Sequence, residues 1–430
     1  MIKVCKFGGT SMANASSICY VANIIRSDKA RKCIVLSAPG LRDTADTKIT
    51  DLLYMSYNNP IVWKIVGERL QTIVDDLQVE FDLSDELDSV FCDIANGGNQ
   101  DYVVSRGEYI ISKIVSKLIG YTFVDAKDII MVDQEGKIDL VQTRRQAKKL
   151  ISPYIGTGVV VPGFYGAYNN SIRLLGRGGS DITGAALSYA LASSEYENWT
   201  DVDGMSVFDP HIGHSQYNST MSYHAAITLA QAGANVIHPD SCAIAALDNI
   251  PITIKNTFNP NANGTRIVAN CCKQSKVLGV GSVSNLRTIV LSKLSLSSDT
   301  VLQDVLKLIV KYNIDTININ ADNNSIVLTI DPRVEATQSN QRNNISRFRR
   351  VLTSQLNPIS CKVHNTALIK IVGKDILSQA LQTLSLYRAK VLSSAQSKDV
   401  STIVVSSKDY EMVMDMLYRQ FGDDGYMIVK

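Results

Sequence analysis

Two tryptophans, five histidines and no apolar stretch long enough to cross a bilayer already narrow what this 430-residue chain can be. Its eight cysteines never form Cys-x-x-Cys and never stand beside a histidine pair. That excludes the usual zinc ligand spacings and reads as reduced thiols of a cytoplasmic protein, with the neighbours Cys271 and Cys272 incidental. The turn Gly-x-x-x-x-Gly-Lys-Ser/Thr is missing, which argues against a P-loop fold. Charge of one sign is missing too: 43 Lys and Arg against 41 Asp and Glu leave a formal net charge of +2. Nucleic acid and anionic membrane therefore have no electrostatic claim as partners. The opening Met1-Ile2-Lys3-Val4-Cys5-Lys6 lacks the basic and apolar halves of a signal peptide and reads as a first β-strand.

What is present is an ordinary globular composition, 45% apolar and 20% charged, long enough for two or three domains. Residues 1–270 alternate apolar strands (3–7, 33–36, 121–124, 158–161, 252–254) with amphipathic helices (15–26, 108–119, 143–151, 183–191, 223–232). Short β-branched runs between helices predict a three-layer αβα sandwich around a mostly parallel sheet. Residues 60–96 break the alternation and read as a helical insertion or lid, closed by the turn Asn96-Gly97-Gly98-Asn99.

After residue 270 the pattern changes. Strand 286–292, helix 299–312, strands 315–320 and 325–330, helix 338–353 and strand 359–363 spell βαββαβ. The order nearly repeats in strand 367–372, helix 376–387, strands 390–395 and 402–405, helix 408–421 and strand 426–429. Two ferredoxin-like α+β units are expected, at 286–365 and 366–430, with a strand at 276–283 that could belong to the second.

Two glycine-rich turns carry the chemistry. The first strand runs into Lys6-Phe7-Gly8-Gly9-Thr10-Ser11, and Leu175-Gly176-Arg177-Gly178-Gly179-Ser180-Asp181 opens a helix. Glycine lets backbone approach a ligand, free amides at a helix start attract phosphate oxygens, and arginine grips a carboxylate with two donors. Asp181 reads equally as a plain N-cap. Trp199-Thr200-Asp201-Val202-Asp203-Gly204 reads as a turn or a nucleotide and Mg²⁺ contact. Lys255 reads as a solvated strand end or a ligand at the carboxyl edge of the sheet. Glu108, in Ser105-Arg106-Gly107-Glu108, reads as a dipole complement in a first helical turn or as a partner for a substrate ammonium.

Taken in order, Lys-Phe-Gly-Gly-Thr-Ser at 6–11, Arg-Gly-Glu at 106–108, Leu-Gly-Arg-Gly-Gly-Ser-Asp at 175–181, Thr-Asp-Val-Asp-Gly…Asp-Pro at 200–210 and Lys-Asn-Thr-Phe-Asn-Pro…Gly-Thr at 255–265 resemble the aspartokinase family of the amino-acid-kinase fold. The tail resembles that family's paired ACT regulatory units, so the likeness spans the chain. The resemblance implies ATP and L-aspartate as substrates, Mg²⁺ with the nucleotide, and 4-phospho-L-aspartate as product, the first step towards lysine, threonine and methionine. It implies Lys6 on the transferring phosphoryl group, Asp181 orienting that lysine, and Arg177 and Glu108 on the α-carboxylate and ammonium. Thr50 and Ser180 would complete the aspartate site. Gly8, Gly9, Ser11, Gly178, Gly179, Thr200, Asp201, Asp209 and Lys255 would form the nucleotide site, with no resident metal ligand among the side chains. It further implies a lysine or threonine effector, with Ser297, Ser298 and Asp299 its contacts or simply a helix cap, and a homodimer or dimer of dimers. The length leaves an expectation of a monofunctional enzyme. Ser206 and His211 depart from the family's aromatic and arginine on the nucleotide side. Asn169-Asn170 replaces a glycine turn, which asparagine tolerates.

Overall fold

The computed structural model describes residues 1–208, 217–234, 236–269, 277–292, 300–322, 324–332 and 344–422. Two compact units emerge. Residues 1–205, 217–230 and 235–273 form the first, and 206–216, 231–234 and 274–430 the second.

The first unit begins β1 (Lys3–Phe7), α1 (Ala15–Ser27), β2 (Arg31–Leu36), α2 (Ile49–Ser56), α3 (Val62–Leu77), α4 (Leu83–Ala95) and α5 (Gln100–Ile119). It continues β3 (Thr122–Phe123), α6 (Ala126–Ile129), α7 (Leu140–Leu150), β4 (Val159–Pro162), the hairpin β5 (Tyr165–Tyr168) and β6 (Ser171–Leu174), α8 (Gly179–Ala190) and β7 (Glu195–Thr200). It closes with β8 (Thr220–Ser222), α9 (Tyr223–Gln231), α10 (Pro239–Leu247), β9 (Ile252–Asn256) and β10 (Thr265–Val268). Eight strands pair in the order β3-β4-β2-β1-β7-β9-β10-β8, parallel except where β10 meets β9.

Side chains alternate across a strand, so each strand serves two layers. Cys5 and Phe7 of β1, with Ile34 and Leu36 of β2, join a core built by α1 and α3–α5. Val4, Lys6, Cys33 and Val35 point to the other face, where α8 packs on β1, β2 and β7. Residues 60–96 do form two helices, but not a free-standing lid. Trp63, Val66, Leu70 and Ile73 of α3 and Val90 of α4 sit in the same core as Phe7. Burying such side chains is worth about 1.5–3 kcal/mol each, which ties the insertion down as a wall. In the hairpin, Asn169 and Asn170 have φ of 48° and 63°, the left-handed pair that a two-residue turn requires.

The second unit holds β11 (Val277–Ser292), α11 (Thr300–Lys311), β12 (Thr316–Ala321), β13 (Ser325–Ile330), α12 (Asn344–Leu356), β14 (Ser360–Gly373), α13 (Leu377–Leu386), β15 (Val391–Ser397), β16 (Val400–Ser406) and α14 (Tyr410–Phe421). They give one antiparallel sheet, β12-β13-β11-β14-β16-β15. Two strands expected as four are continuous. β14 runs unbroken through Asn365 and Thr366, and β11 absorbs Asn285, at φ 61°, in a register shift between Val283 and Leu286. The second half of β11 pairs with β13, while its first half pairs with Leu368–Gly373 of β14, beside β16. Each half packs its own helices: Ile289, Leu328, Leu308 and Phe348 in one core, Ile369, Ile403, Leu384 and Leu417 in the other. On the opposite face Leu286, Leu368 and Val404 are buried with Ile317 and Leu392 against them. The sheet curls until Asn320 of β12 donates to Ser393 Oγ of β15 at 2.9 Å.

Candidate active site

Parallel pairing brings strand ends to one edge: Phe7 pairs with Leu36 and Trp199, and Trp199 with Lys255. The turns leaving β1, β2 and β7, together with the start of α8, therefore meet beyond the carboxyl ends, where open α/β sheets bind ligands. A cleft of about 850 Å³ opens there, and Lys6, Thr50, Glu108, Arg177, Ser180 and Asp181 all line it. Gly9, Gly178, Gly179 and Asp201 line it as well.

Lys6 Nζ stands 2.6 Å from Asp181 Oδ1, both side chains only 12% exposed. The N-cap reading of Asp181 fails. The helix is capped by Gly178 at φ 72°, and Asp181 lies three residues inside. Its carboxylate instead accepts from Asn198 Nδ2 at 3.3 Å and from the backbone N–H of His238 at 3.1 Å. A carboxylate held at three points fixes the lysine beside it. Arg177 is exposed in the cleft and has no ion-pair partner among the described residues. Gly178 is needed twice over: its φ is left-handed, and a Cβ there would lie 2.6 Å from the His238 ring.

Glu108 corrects its first reading as a helix-start carboxylate. Asn99 caps α5, with its side chain accepting from Tyr102 N, so Glu108 lies in the third turn, 3% exposed. Desolvation pushes its carboxyl up to about 8, against hydrogen bonds from its own and Ala38's backbone N–H. Its Oε2 is buried with no hydrogen-bond partner. A carboxylate oxygen desolvated at a cleft wall is costly unless a cation arrives.

The glycines divide. Gly8 N–H donates to Trp199 O at 3.0 Å and Gly179 N–H to Gly176 O at 3.1 Å, so neither amide is available to a phosphate. The amides of Gly9, Gly178 and Ser180 meet no acceptor among the described residues. Gly8 and Gly179 contribute closeness: a Cβ on Gly179 would press 2.9 Å from Phe164. Ser11 is fully buried with its hydroxyl 2.8 Å from that of Thr257, away from the cleft. Thr200 turns its hydroxyl to Asp201 Oδ1, and Asp201 Oδ2 accepts from Thr10 Oγ1 at 3.0 Å. Lys255 Nζ lies 5.4 Å above the Trp199 ring, beside the cleft and not in it. Ser206 spends its hydroxyl on Phe208 O. Asp209, His211, Ser297, Ser298 and Asp299 fall outside the described residues.

Two lining segments went unread in the sequence. Ser37-Ala38-Pro39-Gly40 leaves β2 and packs on the first glycine turn, Gly40 N donating to Gly9 O at 2.8 Å. A Pro-Gly pair directly after an apolar strand was the available signal. Phe164 also lines the cleft, at φ 77°, a strained setting for a bulky residue that no sequence pattern announces.

The model of the amino acid kinase family matches residues 1–256. The chain is 28% identical to aspartokinase 3 of Bacillus subtilis, covering 98% of both chains. It is 24% identical to the lysine-sensitive aspartokinase 3 of Escherichia coli, covering 97% of this chain and 98% of that one. The crystal structure of Clostridium acetobutylicum aspartate kinase superposes with a TM-score of 0.81 at 30% identity, over 98% and 99% of the two chains. With its cleft at the carboxyl edge of an αβα sandwich and relatives that match end to end, the chain belongs to the amino acid kinase family, among its aspartokinases.

Proposed function

We propose that this cleft transfers the γ-phosphoryl group of ATP to the β-carboxylate of L-aspartate, giving ADP and 4-phospho-L-aspartate. One observation carries the reading: the Lys6–Asp181 pair, the unpaired Arg177 and the desolvated Glu108, with its Oε2 unpartnered, line a single cleft. A free α-amino acid offers an ammonium and a carboxylate, and this wall offers Glu108 and Arg177 in return. Thr50 and Ser180 line the same cleft as neutral donors.

The β-carboxylate is already a nucleophile, so the reaction asks for no strong base. Its obstacle is two anions in contact. Lys6, held by Asp181, places a fixed positive charge at the end of β1, and the amides of Gly9, Gly178 and Ser180 supply preorganised donors to phosphate oxygens. Such donors are each worth about 2.7–4 kcal/mol of barrier. Magnesium fits as an ion carried in on the nucleotide. Asp201, one of the carboxylates lining the cleft, would reach it through water. When bound it adds positive charge against the phosphate oxygens.

The second unit is read as regulatory, binding lysine, the effector that the name of the Escherichia coli relative points to, or else threonine. An assembly of two or four chains is part of the same reading. No helix among the described residues is long and apolar enough to cross a membrane, and the described cysteines are free thiols, which suits a cytoplasmic enzyme. The test is turnover of ATP with aspartate in hydroxylamine, which traps the acyl phosphate as a hydroxamate. Turnover with aspartate and none with glutamate, acetylglutamate or carbamate supports the assignment; ATP consumption without hydroxamate from aspartate ends it.

A further inference from the structure

Three buried arginines of the first unit, Arg31, Arg69 and Arg106, stand outside the mechanism above. Arg69 lies on α3 in the helical wall, 5% exposed. Its guanidinium reaches out of that wall to the turn that borders the cleft. Nη1 donates to Thr47 O at 2.7 Å, and Nη2 donates to Gly40 O and stands 3.2 Å from Asp46 Oδ2. Asp46 is shared: Arg42 donates to it through its backbone N–H and Nε at 2.9 Å and through Nη2 at 3.0 Å. Those bonds from Arg42 hold the Asp46 carboxyl well below the usual range. Arg69 thus fastens both ends of the turn, Gly40 at one and Asp46 with Thr47 at the other.

What hangs on the turn is the cleft wall. Gly40 also bonds the first glycine turn through Gly9 O, and Ile49 N, the first residue of α2, donates to Pro39 O. Arg42 and Lys48, two exposed cations of the turn, line the cleft, as does Thr50 one residue into α2. A buried arginine carries a desolvation cost, and here one carboxylate answers two guanidiniums while Arg69 Nε has no partner. Apolar packing alone would have served α3 more cheaply, so the arginine is there for the carbonyls it meets.

We propose that Arg69 is a positioning residue: from the helical wall it sets the 40–48 turn, and through it the placement of Arg42, Lys48 and Thr50 around the anionic substrates. This rests on the aspartate kinase reading for the identity of those substrates, but not for the geometry of the turn.

Arg69→Lys keeps the charge and loses the fork that spans two carbonyls and a carboxylate. In the full chain it is expected to lower kcat/KM for aspartate or ATP by about 10- to 100-fold, carried by KM more than by kcat. Hydrogen exchange of the amides of residues 41–47 should quicken in the same variant, with exchange in β1 and α5 unchanged. Asp46→Asn, a change in the turn itself that spares α3, should raise the same KM and loosen the same amides, and it stands in if Arg69→Lys does not fold. Folded variants with both KM values within about twofold of the parent and unchanged exchange at 41–47 would overturn the proposal. If the parent chain fails to phosphorylate aspartate, the functional reading falls while the exchange measurement still decides: faster exchange supports the positioning role, and unchanged exchange removes it.

Discussion

The two units use polar groups in opposite ways. In the first, ionisable side chains gather at one edge of a parallel sheet: Lys6 against Asp181, Glu108 with one oxygen unpartnered, Arg177 open to the cleft. In the second, the buried middle of an antiparallel sheet holds neutral hydroxyls. Thr288 lies 3.1 Å from Thr329 and 2.8 Å from Thr366, hydroxyl to hydroxyl. The difference teaches what each sheet is for. Charge kept dry and unsatisfied is costly and persists where a ligand completes it; hydroxyls that satisfy one another hold strands in register and ask for nothing.

The comparison can be broken most forcefully in the second unit. Ile289, fully buried between α11 and α12, should cost about 2–5 kcal/mol on truncation to alanine. Because β11 belongs to both halves, the loss should spread: hydrogen exchange in β16 is expected to quicken with that in β13. Exchange confined to β13 would mean the halves are independent. In the first unit Lys6→Ala should lower kcat by roughly 100- to 1,000-fold, about 2.7–4 kcal/mol, read as hydroxamate formation at saturating ATP and aspartate. Near-parental turnover would break the charge-based account.

Glu108→Gln sharpens it. Losing a charged partner for the ammonium should weaken aspartate binding by about 1.5–3 kcal/mol, measured as Kd by calorimetry. The carboxyl, raised by burial to about 8 from 4.5, keeps its proton in the empty folded cleft over that interval, while the unfolded chain has released it. Its contribution to stability is therefore full below pH 4.5 and lost as pH rises through 8. An ammonium requires the carboxylate, so aspartate should bind more tightly as pH climbs towards 8, expelling a proton that calorimetry in two buffers detects. The glutamine variant should show no proton release. The smallest effect belongs to the hydroxyl cluster: Thr288→Val should cost about 1–3 kcal/mol in thermal unfolding and leave aspartate turnover unchanged.

Much of the first unit could be read from the chain itself, and the reasons are local. A lysine ending an apolar strand before two glycines, and an aspartate just after Gly178-Gly179, are each patterns of a few neighbouring residues, and Lys6 and Asp181 do meet. Glu108 was legible as a residue and misplaced as a position: Asn99 capped the helix two turns earlier than its apolar run suggested. Which amides were free could not be read, because Gly8 spends its N–H on Trp199 O, 191 residues away, a partner set by sheet pairing. The Arg42–Asp46–Arg69 cluster was hidden for the same reason, since its members stand on a turn and on a helix that only packing brings together. In the tail, the polar Asn365-Thr366 and the Asn285 step looked like strand ends. Ladders with β11 and β16 carry β14 through Thr366, and the β11–β14 ladder resumes past Asn285 after a register shift.

That continuity has a bearing on how this molecule can be cut. The edge of the last ferredoxin-like half is completed by residues 277–283, which precede it in sequence by more than 80 positions and by an entire βαββαβ round. A fragment starting at Thr366 would present the bared flank of β14, from Ala367 to Gly373, to any passing strand. Such a piece should pair with itself or precipitate, whereas one that retains Val277 onward carries its own missing neighbour.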